Sequence, residues 1–132
     1  MSSNIPIFKI GDNLIATFHS DIDDKFALEF QAKLVEQIYK TKASGVLIDL
    51  SVVDMVDSFL GRLISDIAKM STTLDANTVV VGIQPPIAIT LVELGLELSG
   101  AHTALNVEHG IEVLRKLKTE SDKSVGDPKE IR

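Results

Sequence analysis

Ser58 stands where an apolar strand gives way to an amphipathic helix, with Asp54 and Asp57 just before it. A helix N-terminus carries unpaired N–H groups and the positive end of the helix dipole, so a hydroxyl there is well placed to carry an anion. The plainest role for Ser58 is as the N-cap itself, since serine and aspartate are preferred there and a cap contributes about 1 kcal/mol. The sharper role is phosphorylation, which adds about −1.5 to −2 charge. That charge would be stabilised by the helix end and opposed by Asp54 and Asp57. A serine nucleophile is the enzymatic alternative, but the nucleophile elbow needs Gly-x-Ser-x-Gly, and Val56 and Leu60 occupy the glycine positions around Ser58. His102 and His109 stand in no recognisable triad context, so a serine hydrolase is disfavoured and no catalytic residue is assigned.

Other residues with chemical potential point less far. Asp49, Asp54 and Asp57 could be drawn together around magnesium, yet aspartates at such positions are more often turn and cap residues, and no phosphate-binding element accompanies them. His19, His102 and His109 lack metal-ligand spacing. Neither Gly-x-x-x-x-Gly-Lys-[Ser/Thr] nor Gly-x-Gly-x-x-Gly occurs, so the chain is not expected to be a kinase itself. No metal and no cofactor is called for.

The elements that must hold Ser58 are legible on both sides. Val46-Leu47-Ile48-Asp49-Leu50 is the continuous apolar run of a parallel strand covered on both faces. After Ser58, the residues Phe59, Leu60, Leu63, Ile64, Ile67 and Ala68 recur at three- and four-residue spacing, with Arg62, Ser65, Asp66 and Lys69 opposite. Upstream, residues 5–10 and 13–18 read as two strands joined by Gly11-Asp12, an antiparallel hairpin whose Pro6 belongs at a sheet edge. From Asp23 to Lys42 the stripe of Phe26, Phe30, Leu34 and Ile38 predicts a helix, acidic at its start and basic at its end, with Gly45 as its stop. Residues 78–83 predict the next buried strand, joined to the first by a right-handed crossover.

Pro85 and Pro86 then open a helix that runs to Leu94 and ends at Gly95. It is apolar nearly all round, more than one sheet contact can bury, and part of it is expected to touch another chain. A short strand at 103–105 precedes a last helix, capped by Asn106, in which Val107, Ile111, Leu114 and Leu117 face the sheet. Beyond Thr119 the apolar periodicity stops, and a disordered tail is expected over 119–132. The order β-β-α-β-α-β-α-β-α gives an α/β fold. Its sheet is mixed and mostly parallel, with an antiparallel N-terminal hairpin and about four covering helices.

Composition excludes several function classes. A length of 132 residues suits one domain, placed at 1–118. The absence of cysteine removes disulfides and thiol chemistry and makes a reducing cytoplasm the simplest home. The net charge of −6 disfavours nucleic acid and anionic lipid, and no apolar run approaches the ~18 residues that span a bilayer. The chain reads as soluble.

Three pieces together resemble the STAS domain of the anti-sigma-factor antagonists, and among them the small scaffold subunits of bacterial stressosomes. They are Val46-Leu47-Ile48-Asp49-Leu50 leading to Val56-Asp57-Ser58 and Gly61, then Val81-Gly82-Ile83-Gln84-Pro85, then Leu91-Val92-Glu93-Leu94-Gly95-Leu96. With the element order, the resemblance covers residues 5 to 117. It implies a STAS fold and a non-enzymatic scaffold of the general stress response. Such a scaffold holds an RsbT-like serine/threonine switch kinase and releases it when the hydroxyl at the position of Ser58 is phosphorylated, and a phosphatase resets that serine. It further implies co-assembly with larger RsbR-like paralogous subunits through STAS contacts, and homo-oligomers or homodimers by the same means. In those paralogues a segment like Asp21-Ile22-Asp23 is followed by a phosphorylatable threonine; Asp24 replaces it here, so a second phosphosite is ruled out and a fixed negative charge stands instead. No N-terminal sensory domain like theirs is expected here, so the chain is expected to receive a signal and not to sense it. Kinase docking is expected around Asp54, Met55, Asp57, Phe59 and Arg62, although Met55 and Phe59 could instead be core residues, and for Phe59 that role suits at least as well. A STAS module that binds a nucleotide or another small molecule is the competing reading.

Overall fold

The computed structural model describes residues 5–19, 22–95 and 100–126. Five strands form one sheet in the order β1-β2-β3-β4-β5: β1 Ile7–Ile10, β2 Asn13–Thr17, β3 Gly45–Asp49, β4 Asn77–Val81 and β5 Ala101–Ala104. β1 and β2 are the antiparallel hairpin predicted from the turn at Gly11-Asp12, with Ile10 paired to Asn13. All other neighbours are parallel. β1 lies at the sheet edge, and Pro6 falls just outside the strand, where its missing N–H costs no ladder bond.

Among the described residues four helices cover the sheet: α1 Asp24–Thr41, α2 Ser58–Thr73, α3 Pro85–Glu93 and α4 Val107–Gly126. Strand alternation divides the core in two. Leu14, Ala16, Val46, Ile48 and Val80 point to one face, where Phe30, Leu34 and Ile38 of α1, Leu63, Ile64 and Ile67 of α2, and Ile87 and Leu91 of α3 meet them. Ile15, Leu47, Val79 and Val81 point to the other, under Leu114, Ile111 and Val107 of α4. Full burial of a side chain such as Leu47 or Ile64 contributes about 1.5–3 kcal/mol, so these two layers hold the strands in register. Phe18 and Phe30 add an edge-to-face contact, centroids 5.2 Å apart. α4 passes close against the sheet at Gly110, where a Cβ would lie 2.6 Å from Val81 Cγ1 and 2.9 Å from Leu47 Cδ1.

Several boundaries differ from the sequence reading for identifiable reasons. α1 does not stop on Gly45. Lys42 closes it in the left-handed conformation, φ 58°, its N–H bonded to the Ile38 carbonyl, and Gly45 is already the first residue of β3. The last strand is Ala101–Ala104, and Leu105 lies beyond it, 77% exposed. α4 runs to Gly126, so the first part of the expected tail is helical; a docked helix propagates through polar residues beyond its last apolar contact. Residues 127–132, and Asp21 of the Asp21-Ile22-Asp23 segment, lie outside the described residues.

Candidate functional site

Because β2 to β5 run parallel, their C-terminal ends share one edge of the sheet, and the loops leaving them gather there. β3 is the central strand, so the loop carrying Asp54 to Asp57 leaves from the middle of that edge. Its beginning is pinned. Asp49 Oδ1 accepts from the Ser51 N–H at 2.9 Å, the Leu50 N–H donates to Val81 O at 2.9 Å, and Leu50 and Val53 are fully buried. The Gln84 side chain reaches back from the end of β4, its Nε2 donating to Ser51 O at 2.7 Å and to Val53 O at 3.4 Å. Gly82, at φ 73°, lets the β4 backbone pass against Ser51, where a Cβ would stand 2.9 Å from Ser51 Cβ.

The loop ends on a cap, and that cap is Asp57, not Ser58. The Asp57 backbone is extended, φ −115° and ψ 178°, and its Oδ1 accepts from the Leu60 N–H at 2.9 Å. Ser58 is therefore the first helical residue, and the expectation that its hydroxyl serves as the cap is corrected. The reason is geometric: a cap needs extended backbone to turn its side chain back toward the N–H groups, and only the residue before the helix has it. Ser58 is exposed, with no hydrogen-bond partner for its side chain among the described residues. Leu60, Gly61, Leu63 and Ile64 are buried and fix the rotation of α2, so Ser58 and Arg62 stay on the solvent side.

Beside the loop that leads to Ser58 lies a cleft of about 640 Å³, lined by His19, Ile22, Val52, Asp54, Met55, Val56, Asp57, Phe59 and Leu60; Ser58 itself is not part of its lining. Four of the five docking residues named from sequence, Asp54, Met55, Asp57 and Phe59, line it together; Arg62 does not and lies one turn further along α2. Met55 is 74% exposed, which removes it from the core, as is Val52 at 60%. Phe59 is half-buried and packs on the main core while also walling the cleft, so it does both jobs. Asp24 is exposed at the first turn of α1, beside Asp23, whose Oδ1 caps that helix through the Phe26 N–H at 2.9 Å.

Sequence reasoning did not find His19, Ile22 and Val52, which reach the cleft from two loops, nor the part played by Gln84. A signal for Ile22 existed: an apolar residue just before an N-cap commonly turns inward. For Gln84 the only hint was a polar side chain between a buried strand and a proline pair. Among the described residues no three or more His, Asp or Glu converge as a metal site, so Asp49, Asp54 and Asp57 are not brought together as ligands. Among the described residues no helix is long and apolar enough to cross a membrane. α3 buries Ile87 and Leu91 but leaves Ile89 58% and Val92 77% exposed, the surplus apolar surface its sequence predicts.

Comparison with known proteins places these features in a family. The family model described as STAS domain matches residues 4–118. RsbS of Moorella thermoacetica, in an S58E form, superimposes with a TM-score of 0.78 at 33% identity, over 87% of this chain and 97% of that one. A chain from the molecular architecture of the stressosome, described as a signal integration and transduction hub, gives 0.76 at 34% identity, over 86% and 98%. In sequence, the RsbT co-antagonist protein RsbRA of Bacillus subtilis (strain 168) is 26% identical over 123 residues, which is 92% of this chain but 45% of the relative. The chain thus spans less than half the length of that curated relative.

Proposed function

Because the chain belongs to the STAS domain family, we propose that it is a non-enzymatic scaffold of a bacterial stress-response assembly, switched by phosphorylation of Ser58. In this reading the surface of Asp54, Met55, Asp57, Phe59 and Arg62 holds an RsbT-like serine/threonine kinase in the cytoplasm. Phosphate transfer to Ser58 releases that kinase, and a phosphatase restores the free hydroxyl. Residues 1–118 act as one STAS domain. The exposed Ile89 and Val92 of α3 are offered to neighbouring STAS domains, either copies of this chain or RsbR-like paralogues.

One observation carries the reading. The Ser58 hydroxyl is exposed and has no structural duty, since Asp57 performs the capping. A kinase can therefore modify it without dismantling the helix. The resemblance to RsbS, studied with glutamate replacing a serine, supports the same view. A phosphate brings about −1.5 to −2 charge into a contact that already contains Asp54 and Asp57. Like-charge juxtaposition in an interface costs several kcal/mol, and every ~1.4 kcal/mol is tenfold in occupancy.

The test uses a candidate switch kinase. Incubated with kinase and ATP, the wild-type chain gains the mass of one phosphate, mapped to Ser58, while Ser58→Ala gains none yet still captures the kinase. Ser58→Asp captures it more weakly. Equal capture by the Ala and Asp variants defeats the charge mechanism, and phosphate on any other residue defeats the site.

A further inference from the structure

We infer that Arg62 is the intramolecular receptor for the phosphate on Ser58. The inference rests on the reading that Ser58 is the modified residue, and it assigns Arg62 a role beyond docking. Ser58 and Arg62 are four residues apart on α2, hence neighbours on one helix face with Cβ atoms about 5–6 Å apart. Both are exposed, and the buried residues between them hold that face outward. The Arg62 guanidinium has no ion-pair or hydrogen-bond partner among the described residues. Asp66, four residues further on, is not within ion-pair distance, and a cation N-terminal to its anion is the less favourable sense along a helix. Ser58 and Arg62 have the favourable sense, with the acquired anion toward the helix N-terminus.

The chemistry matches. A guanidinium presents a planar fork of donors that fits two phosphate oxygens at once. Asp57 keeps its carboxylate on the Leu60 N–H and stands as a fixed like charge beside the phosphate. The phosphate is consequently drawn along α2, away from Asp57 and onto Arg62. Phosphorylation then alters the docking surface at two places: an anion appears at Ser58, and the cation of Arg62 is withdrawn from whatever the partner presents to it.

The experiment needs no kinase. Full-length protein carrying phosphoserine at 58, installed during translation, is titrated by phosphorus NMR through the second ionisation of the phosphate, in the wild-type background and with Arg62→Gln. Loss of the neighbouring cation tightens proton binding roughly two- to threefold, raising the midpoint by about 0.3 to 0.5 pH. Arg62→Lys, which keeps the charge, moves the midpoint back toward wild type. Identical midpoints in wild type and Arg62→Gln overturn the assignment, as does an Arg62→Lys protein indistinguishable from Arg62→Gln. A kinase that ignores Ser58 defeats the proposed function while leaving this titration intact, and a flat titration leaves kinase transfer to Ser58 untouched.

Discussion

Exchanging the side chains at 57 and 58 one at a time separates the cap from the acceptor. Asp57→Ala deletes the oxygen that accepts the Leu60 N–H at 2.9 Å. Loss of an N-cap costs about 1 kcal/mol, within a range of about 0.5–2, and Leu60 is only 7% exposed, which limits replacement of that bond by water. For a chain of this size ~1 kcal/mol lowers Tm by about 3–5 °C. Ser58→Ala deletes an exposed hydroxyl with no hydrogen-bond partner among the described residues, and alanine is the better helix former by a few tenths of a kcal/mol. Its expected change is within about 0.5 kcal/mol of zero. Asp57→Asn keeps an acceptor oxygen and should retain most of the wild-type stability. Urea unfolding followed by far-UV circular dichroism reads all three, with unchanged m-values confirming that the unfolded states are comparable. A Ser58→Ala protein as destabilised as Asp57→Ala would refute the reasoning, because the hydroxyl would then have a structural duty and a phosphate could not be added without cost to the helix.

Three further expectations follow from the same geometry. Gln84→Ala removes both donations to the β3–α2 loop, worth about 1 kcal/mol together, so the Val53 amide should exchange about fivefold faster while amides of β2 and β3 keep their protection; unchanged loop exchange contradicts the clamp. Gly110→Ala gains about 1 kcal/mol of helix propensity, yet forces a Cβ within 2.6 Å of Val81 Cγ1, an overpacking that costs about 1–3 kcal/mol. A net loss of stability in thermal unfolding is expected, and a gain excludes the close approach of α4 to the sheet. Lys118, by its hydrogen bond and charge, holds the Asp12 carboxyl below its ordinary value of 3.8. The link between α4 and the β1–β2 turn is accordingly present above that value and fades as pH falls through the lowered one. Lys118→Gln should return the Asp12 midpoint to the ordinary range in an NMR titration, and an unmoved midpoint removes the pairing.

Sequence alone determined the elements and their kind. Periodicity is a local property: the four-residue stripe of Phe26, Phe30, Leu34 and Ile38 and the unbroken Val46 to Leu50 run can each be read without knowing what they touch, and both took the predicted form. The hairpin turn, the Asn106 cap on α4 and the surplus apolar surface of α3 were legible for the same reason. Tertiary structure decided which oxygen caps α2, because that depends on the extended backbone angles of Asp57, which no local pattern of residue types specifies. It also decided that Gln84 and Gly82 hold a loop 30 residues upstream, and that His19 and Ile22 share a cleft with Met55 and Phe59. Such meetings arise only when parallel strands bring the ends of separate segments to one edge. No window of sequence spans that convergence.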